Sequence, residues 1–514
     1  MSTESFQPAA TRPGRTPAVV VLLVLSAFTV ILNETIMANA IPRLMDDLEV
    51  TEQTAQWVST AFMLTMAAVI PTTGWLLQRL TTRAVYGTAM GVFLTGTAIC
   101  ALAPVFPILL TGRVIQAMGT AVMMPLLMTT LLNVVPKRDR GRVMGNVTLV
   151  MSVAPALGPT VSGVVLQLGS WRLLFVLVLP IAGAVTLLGL RKLQNVGEPR
   201  HGTIDWASVL IAALGFGGLV YGLGTFGQGG VRLPIALAVA GLAMIAIFVA
   251  RQLRLQRTGT PLLDLRTLGQ RTYTRALVMG AMAFMVMLGS MMMLVLYLQN
   301  LRGLSPLMTG LLVMPGGIIQ GLLGPTVGRL FDRYGGRVLV IPGSIGLVVA
   351  LVGFTQFSAT TPYWQLLGIH IVMMISMAAT MTPVFTLGLG SLPKRLYAHG
   401  SSMLGTLQQV AAAFGTALVV TVMAARAGQL NAGGAEEMAA QLEGMRASFV
   451  ACVLLSLVVV LMAVLLPKRP DATDDDEPAI GPDRGEHASM DGAADGAHQG
   501  ARTVAAQSGG RHRS

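Results

Sequence analysis

The amino-acid sequence predicts an all-α membrane protein of fourteen spanning helices, arranged as two six-helix bundles with two further helices inserted between them. Three observations carry this. Of 514 residues, 53% are hydrophobic and 11% charged, with a mean hydropathy of +0.69, whereas a soluble chain carries roughly 25% charged residues. Apolar runs long enough to cross a hydrocarbon core about 30 Å thick recur along the chain. Finally, a pattern at the end of the second run returns at the end of the tenth.

The first run, 18–41, follows Arg12 and Arg15, and Ala38-Asn39-Ala40 imitates a signal-peptidase site. The run continues through Asn33, Glu34 and Thr35, which suits a retained helix better than a cleaved leader. Runs two to six occupy 56–77, 84–103, 107–132, 143–167 and 172–190. Runs seven and eight occupy 206–226 and 232–250, with Gly frequent in the seventh and in the segment between them. The last six occupy 276–298, 306–328, 338–356, 364–388, 403–424 and 448–466. Charge tests this count, because cytoplasmic segments collect Lys and Arg. With both termini cytoplasmic, the opposite side holds Arg43, Arg172, Arg232, Arg302, Arg426 and Arg446, and Arg113 lies within a run; the other 28 of the 35 basic residues are cytoplasmic. A missed span would reverse the pattern downstream, and no reversal occurs. The net charge of +12 therefore reflects loops beside a membrane and not a nucleic-acid surface. Cys100 and Cys452 each fall in an apolar run, which argues against a disulfide or metal site.

Residues 71–83 align without a gap on 325–337. Pro71, Thr72, Gly74, Leu76, Arg79 and Arg83 coincide with Pro325, Thr326, Gly328, Leu330, Arg333 and Arg337. Pro136-Lys137-Arg138 after run four is echoed by Pro393-Lys394-Arg395 after run twelve. The plain alternative is that cytoplasmic helix ends share a Gly/Arg-rich composition. Two echoes at one offset of eight runs point instead to duplication. The organisation is then a cytoplasmic segment 1–17, a first bundle 18–190, a linker 191–275 carrying the inserted helices seven and eight, a second bundle 276–466, and a polar tail 467–514 expected to be disordered.

Four stretches carry more specific patterns. Gly328, Asp332, Arg333, Gly335 and Arg337 follow G-x-L-x-D-R-x-G-x-R; the first copy keeps Gly74, Arg79 and Arg83 but has Gln78 for Asp and Thr81 for Gly. Run four contains Arg113, Gln116, Gly119 and Ala121 in the order R-x-x-Q-x-x-G-x-A. Run five contains Pro155, Gly158, Pro159 and Gly163, with Ala154 and Ser162 where Gly would complete G-x-x-x-G-P-x-x-G-G. Run one ends in Asn33-Glu34-Thr35, with Asn39, Ile41 and Pro42 beyond. Trp171-Arg172, Asp205-Trp206 and Leu407-Gln408-Gln409-Val410 are weaker matches.

From about Leu22 to Pro467 these stretches resemble the major facilitator superfamily, and within it the 14-span drug:proton antiporter family of the EmrB/QacA type. The resemblance implies the major facilitator fold and proton-coupled export of small molecules across a bacterial plasma membrane by alternating access, without a cofactor, metal or enzymatic step. It implies a conformational switch at Gly74, Arg79, Arg83, Gly328, Asp332, Arg333, Gly335 and Arg337, where carboxylates and guanidinium groups clamp helix ends. It also implies an antiporter motif at Pro155, Gly158, Pro159 and Gly163, for which helix packing is the simpler role. Gln78 leaves the first clamp neutral.

The chemistry available inside the membrane is sparse. Glu34 is the one carboxylate well inside a run, Asp205 sits at the entrance of run seven, and Arg113 is the lone intramembrane Arg. A buried Arg costs at least about 2.5 kcal/mol on insertion scales, so it faces the bundle or snorkels to the interface. A proton-driven carrier needs a group whose charge differs between loaded and empty states. Glu34 with Arg113 is the first candidate for proton coupling, and Asp205 the second. His370 reads as a core or interfacial residue. Asn33, Gln116, Gln320, Gln408 and Gln409 can supply neutral hydrogen bonds to a substrate. Met279, Met282, Met285, Met287 and Met291–Met293, with Met373, Met374, Met377 and Met381, offer either an adaptable pocket or ordinary packing. The expected partners are an amphipathic neutral or monocationic small molecule, protons and the bilayer, with no nucleic acid and a monomeric chain. No Walker pattern provides for ATP. A nutrient symporter or facilitator, and a non-transporting receptor on the same fold, are the alternatives.

Overall fold

The computed structural model describes residues 18–37, 40–196, 204–225, 232–258 and 261–467. The N-terminal segment, Ala38-Asn39, part of the linker and the tail beyond Pro467 lie outside the described residues. Fourteen helices among the described residues are long and apolar enough to cross a membrane. The first bundle comprises α1 (Ala18–Ile36), α3 (Glu52–Arg79), α4 (Thr82–Leu102), α5 (Phe106–Val134), α6 (Arg140–Leu168) and α7 (Arg172–Lys192). The short α2 (Ile41–Leu48) joins α1 to α3. The inserted pair is α8 (Trp206–Gly224) and α9 (Arg232–Thr258). The second bundle comprises α10 (Arg271–Leu296), α11 (Pro306–Tyr334), α12 (Arg337–Thr355), α13 (Tyr363–Gly390), α14 (Tyr397–Ala432) and α15 (Glu437–Leu465).

Lipid offers backbone groups no hydrogen bonds, so each crossing segment closes its own as a helix. Thr51, Thr81 and Ser305 cap three of these helices by accepting the amides of Thr54, Ala84 and Met308. The helices overrun the apolar runs that predict them. α14 has 36 residues, about 54 Å of rise, where the sequence predicts a span over 403–424. Apolarity stops where water begins, but intrahelical hydrogen bonding does not. α2 and a π-turn over Tyr297–Leu301 are also absent from the sequence reading.

One end of the molecule carries Arg79, Lys137, Arg138, Arg333, Lys394 and Arg395, and is called the basic end below. Two seams join the halves: α6 lies along α11, and α3 along α14. α8 covers the second seam, packing on both α3 and α14 through Ala67, Leu219, Val220, Leu223, Ala413 and Ala417. The α6–α11 seam is the more intimate. A Cβ added at Gly145 would overlap the Gly324 carbonyl, and one at Gly324 would overlap the Gly145 carbonyl; Gly141 and Gly328 face each other in the same way. The backbones touch because nothing stands between them.

Gly324→Leu should therefore force the seam apart and destabilise the protein by at least the ~1–3 kcal/mol typical of overpacking. Gly91→Ala is the control, since no atom lies within 4 Å of its added Cβ. Thermal melting of the two purified variants checks this, and equal midpoints would refute it.

Candidate functional site

Arg113 lies in the second turn of α5 and is 1% exposed. It does not snorkel. Its Nη1 donates to Gln116 Oε1 (2.6 Å), its Nε to the Val58 carbonyl (3.4 Å), and its guanidinium stacks on Phe62 at 4.1 Å. Gln116 Nε2 then donates to Thr97 Oγ1 (2.7 Å), and Thr97 to the Phe93 carbonyl (2.7 Å). A buried cation needs partners for its donors; α3 and α5 each accept one from Arg113, and α4 joins the network through Thr97 on Gln116. Gln116, expected at a substrate pocket, is fully buried in this network and faces no opening.

Glu34 is partly exposed, on α1. It lies within electrostatic reach of Arg113, and no ion pair joins the two. Its neighbour Thr35 donates back to the Ile31 and Leu32 carbonyls and rests on Gly158 of α6; a Cβ on Gly158 would strike Thr35 Oγ1 and Cβ. Pro159 meets Gly310 of α11 instead, and Gly163 lies near Leu307. The glycine/proline motif of run five thus touches α1 beside the acid on one face and the opposite half on the other. Asn33 is fully buried and neither amide atom has a partner. Gln320, Gln408 and Gln409 are partly exposed.

The basic end is closed by hydrogen bonds across the halves. Asp332 of α11 accepts the backbone amides of Gly141 and Arg142 at the start of α6, both at 2.8 Å, where the helix dipole favours a carboxylate. The counterpart Gln78 of α3 donates to the Arg395 carbonyl (2.9 Å), a neutral contact. The expected carboxylate–guanidinium clamp is not what holds Asp332. Arg79 stacks on Trp75 and Arg333 on Tyr334, Arg83 is exposed, and Gly335 turns the chain at φ 84° ahead of Arg337. The sequence reading missed two hydroxyl pairs at this end, Thr148···Thr382 between α6 and α13 and Thr129···Ser401 between α5 and α14, each at 2.9 Å. Isolated Thr and Ser in apolar helices gave no signal of their pairing. A crevice of about 220 Å³ between Gln78, Thr129, Asn133 and Arg395 opens here, below the ~300 Å³ of a drug-sized pocket.

Asp205 immediately precedes α8 and is gripped by Arg251 of α9, with Nε at 2.8 Å and Nη2 at 2.9 Å, and by Ser208 Oγ at 2.5 Å. The Arg251 hydrogen bonds, aided by Ser208, bring its carboxyl down to about 2. The guanidinium favours its ionised form, and the pair clips the inserted helices together. Met373, Met374, Met377 and Met381 are all buried core, so this Met stripe is packing.

Residues 23–416 match the family model described as Major Facilitator Superfamily. The chain is 38% identical over 471 residues to the uncharacterized MFS-type transporter YcnB of Bacillus subtilis, covering 91% of this chain and 98% of that one. It is 37% identical over 460 residues to the lincomycin resistance protein LmrB of Listeria monocytogenes, covering 88% and 96%. Among solved structures, the human organic anion transporter MFSD10 superposes with a TM-score of 0.63 at 15% identity, covering 87% of this chain and 100% of that one, a likeness of fold alone.

Two outcomes are expected. A Thr148→Cys/Thr382→Cys pair, with Cys100 and Cys452 changed to Ser, should form a disulfide that holds the basic end shut; if oxidation gives no cross-link, the hydroxyls are not adjacent in the membrane. Asp205→Asn should lower the melting temperature at pH 7, by about 1 kcal/mol of stability for a partly exposed pair. The carboxyl is held below its ordinary value of about 3.9, so its contribution is whole above that pH and disappears only as pH falls through about 2. The difference between Asp205→Asn and wild type should accordingly be constant from about pH 5 to 8; a change within that window would refute the assignment.

Proposed function

Because the chain belongs to the major facilitator superfamily, whose members are transporters, we propose that it is a proton-coupled exporter of amphipathic small molecules in a bacterial plasma membrane, with its basic end and both termini cytoplasmic. The observation that carries the reading is the placement of Glu34: a single intramembrane carboxylate, partly exposed, within reach of the fully buried Arg113 and next to the Thr35–Gly158 contact with α6. The resistance named in relatives at 36–37% identity supports export of drug-like compounds.

In this reading the conformation is the one sealed toward the cytoplasm, with Asp332 on the α6 amides and the hydroxyl pairs as the seal. Glu34 takes a proton from the far side. Neutralising it changes its interaction with the fixed charge of Arg113. That difference between the two states biases the α1–α6 contact at Gly158, since only a differential interaction can shift a conformational equilibrium. Opening of the basic end then exposes the acid to the cytoplasm, where it releases the proton, and substrate leaves in the opposite half of the cycle. Uncharged groups such as Gln320, Gln408 and Gln409 favour neutral or monocationic compounds, because a dication would find little counter-charge.

Accumulation of ethidium and lincomycin in cells with and without the gene tests the reading. The protein should lower both, and a protonophore should abolish the difference. Glu34→Gln, at matched membrane levels, should reduce uphill export to the level of cells lacking the gene while leaving downhill exchange. Export that survives the protonophore, or wild-type export by Glu34→Gln, removes the proposed coupling.

A further inference from the structure

The duplication has a consequence in the second half. The offset that aligns Pro136–Arg138 with Pro393–Arg395 also places Arg140 on Tyr397. In space these two equivalent residues meet each other: the Arg140 guanidinium lies 5.6 Å from the Tyr397 ring and donates to its hydroxyl at 3.3 Å. A residue that touches its own counterpart marks the pseudo-twofold axis, so the offset describes the three-dimensional symmetry. The same offset places Arg113 on His370, and the offset of residues 71–83 places Phe62 on Gly316.

The surroundings correspond. Arg113 of α5 lies on Phe62 of α3 and reaches the Val58 carbonyl. His370 of α13 is 1% exposed and fills the space above Gly316 of α11, where an added Cβ would overlap ring atoms Cδ2 and Nε2; the Val313 backbone of α11 lies beside the ring. The difference lies in the other nitrogen: Nδ1 has no partner, whereas the guanidinium of Arg113 is tied to Gln116. At Gln116's symmetric position stands Met373, which offers no such bond.

We infer that His370 is a second proton-binding site, the titratable counterpart in the second half of the fixed cation Arg113. The inference rests on the proton-coupled reading above. In the neutral ring Nδ1 is an acceptor. In the protonated ring both nitrogens donate, and Nδ1–H must find water or a hydroxyl. Nδ1, on the ring edge away from Gly316, is buried with neither beside it, so the packing accommodates the neutral ring, and the proton binds when the helices around α13 part and water reaches Nδ1. Helices α6, α10, α11, α12 and α14 pack on α13. Their charged residues stand near the helix ends: Arg140 and Arg142; Arg271 and Arg275; Arg329, Asp332 and Arg333; Arg337; His399 and Arg426. The phenols of Tyr273, Tyr297 and Tyr397 are bonded elsewhere. No charged group acts on the His370 ring, so hydration of Nδ1 is what switches it.

The test is a ring-nitrogen NMR titration of the full-length, ¹⁵N-histidine-labelled chain carrying the Thr148→Cys/Thr382→Cys pair. The His370 signal is identified by its loss in His370→Gln, or in His370→Asn should that variant fail to fold. In the reduced, freely cycling protein the signal should titrate between about pH 5 and 8; in the oxidised protein, held shut at the basic end, it should stay neutral. A ring that stays neutral in both forms, or titrates identically in both, overturns the assignment. In vesicles, His370→Gln should keep downhill ethidium exchange and lose part of the pH dependence of exchange; a wild-type pH profile would also overturn it. The titration needs no substrate, so it fails or succeeds independently of whether ethidium export survives a protonophore.

Discussion

The backbone contact between α6 and α11 is the constraint on which the rest depends. Lipid is as apolar as a Leu side chain, so two helical bundles in a membrane gain little by hiding apolar surface from it. They associate by close van der Waals contact and by hydrogen bonds, and both require small residues. Gly141, Gly145, Gly324 and Gly328 bring two carbonyl-bearing backbones together near the basic end. That approach delivers the amides of Gly141 and Arg142 to Asp332, and places Thr148 against Thr382. Bulk at the glycines would separate every one of these pairs.

Duplication supplies the frame, and divergence between the copies supplies the chemistry. The carboxylate of the second clamp sits on a helix N-terminus, while its counterpart Gln78 makes a single neutral hydrogen bond. The two cross-half seams are unequal for the same reason: one is bare backbone on backbone, and the other is shielded by α8, which touches both halves. The inserted pair is held to itself by Asp205 and Arg251 at its entrance, so it stays together while resting on two bodies.

The intramembrane charges obey one economy. Arg113 bonds a side chain and a backbone carbonyl of its own half, and Glu34 keeps partial exposure. An unpaired charge buried among apolar helices would not persist. In the proposed reading, a carboxylate beside a bonded cation, on a helix that abuts α6, instead alternates between two states of charge.

The sequence by itself determined the number of crossings, their grouping into six, two and six, the superfamily, and the identity of the lone intramembrane carboxylate and guanidinium. The crossings and their grouping follow from hydropathy, from the Lys and Arg distribution and from the offset between repeats, and the superfamily from the motifs that resemble it, all of which are read along the chain. Helix limits were legible only to the edge of the apolar zone, because the hydrogen bonds of α6, α11 and α14 continue beyond it. Tertiary structure decided the rest. Gln116, a candidate for the substrate pocket, bonds Arg113, and Asp205, a candidate for proton coupling, pairs with Arg251, 46 residues away. Thr148 and Thr382, 234 residues apart, meet across the halves. A residue type states what a side chain can bond to, but which of those bonds forms depends on which helix lies opposite, and one-dimensional spacing does not contain that.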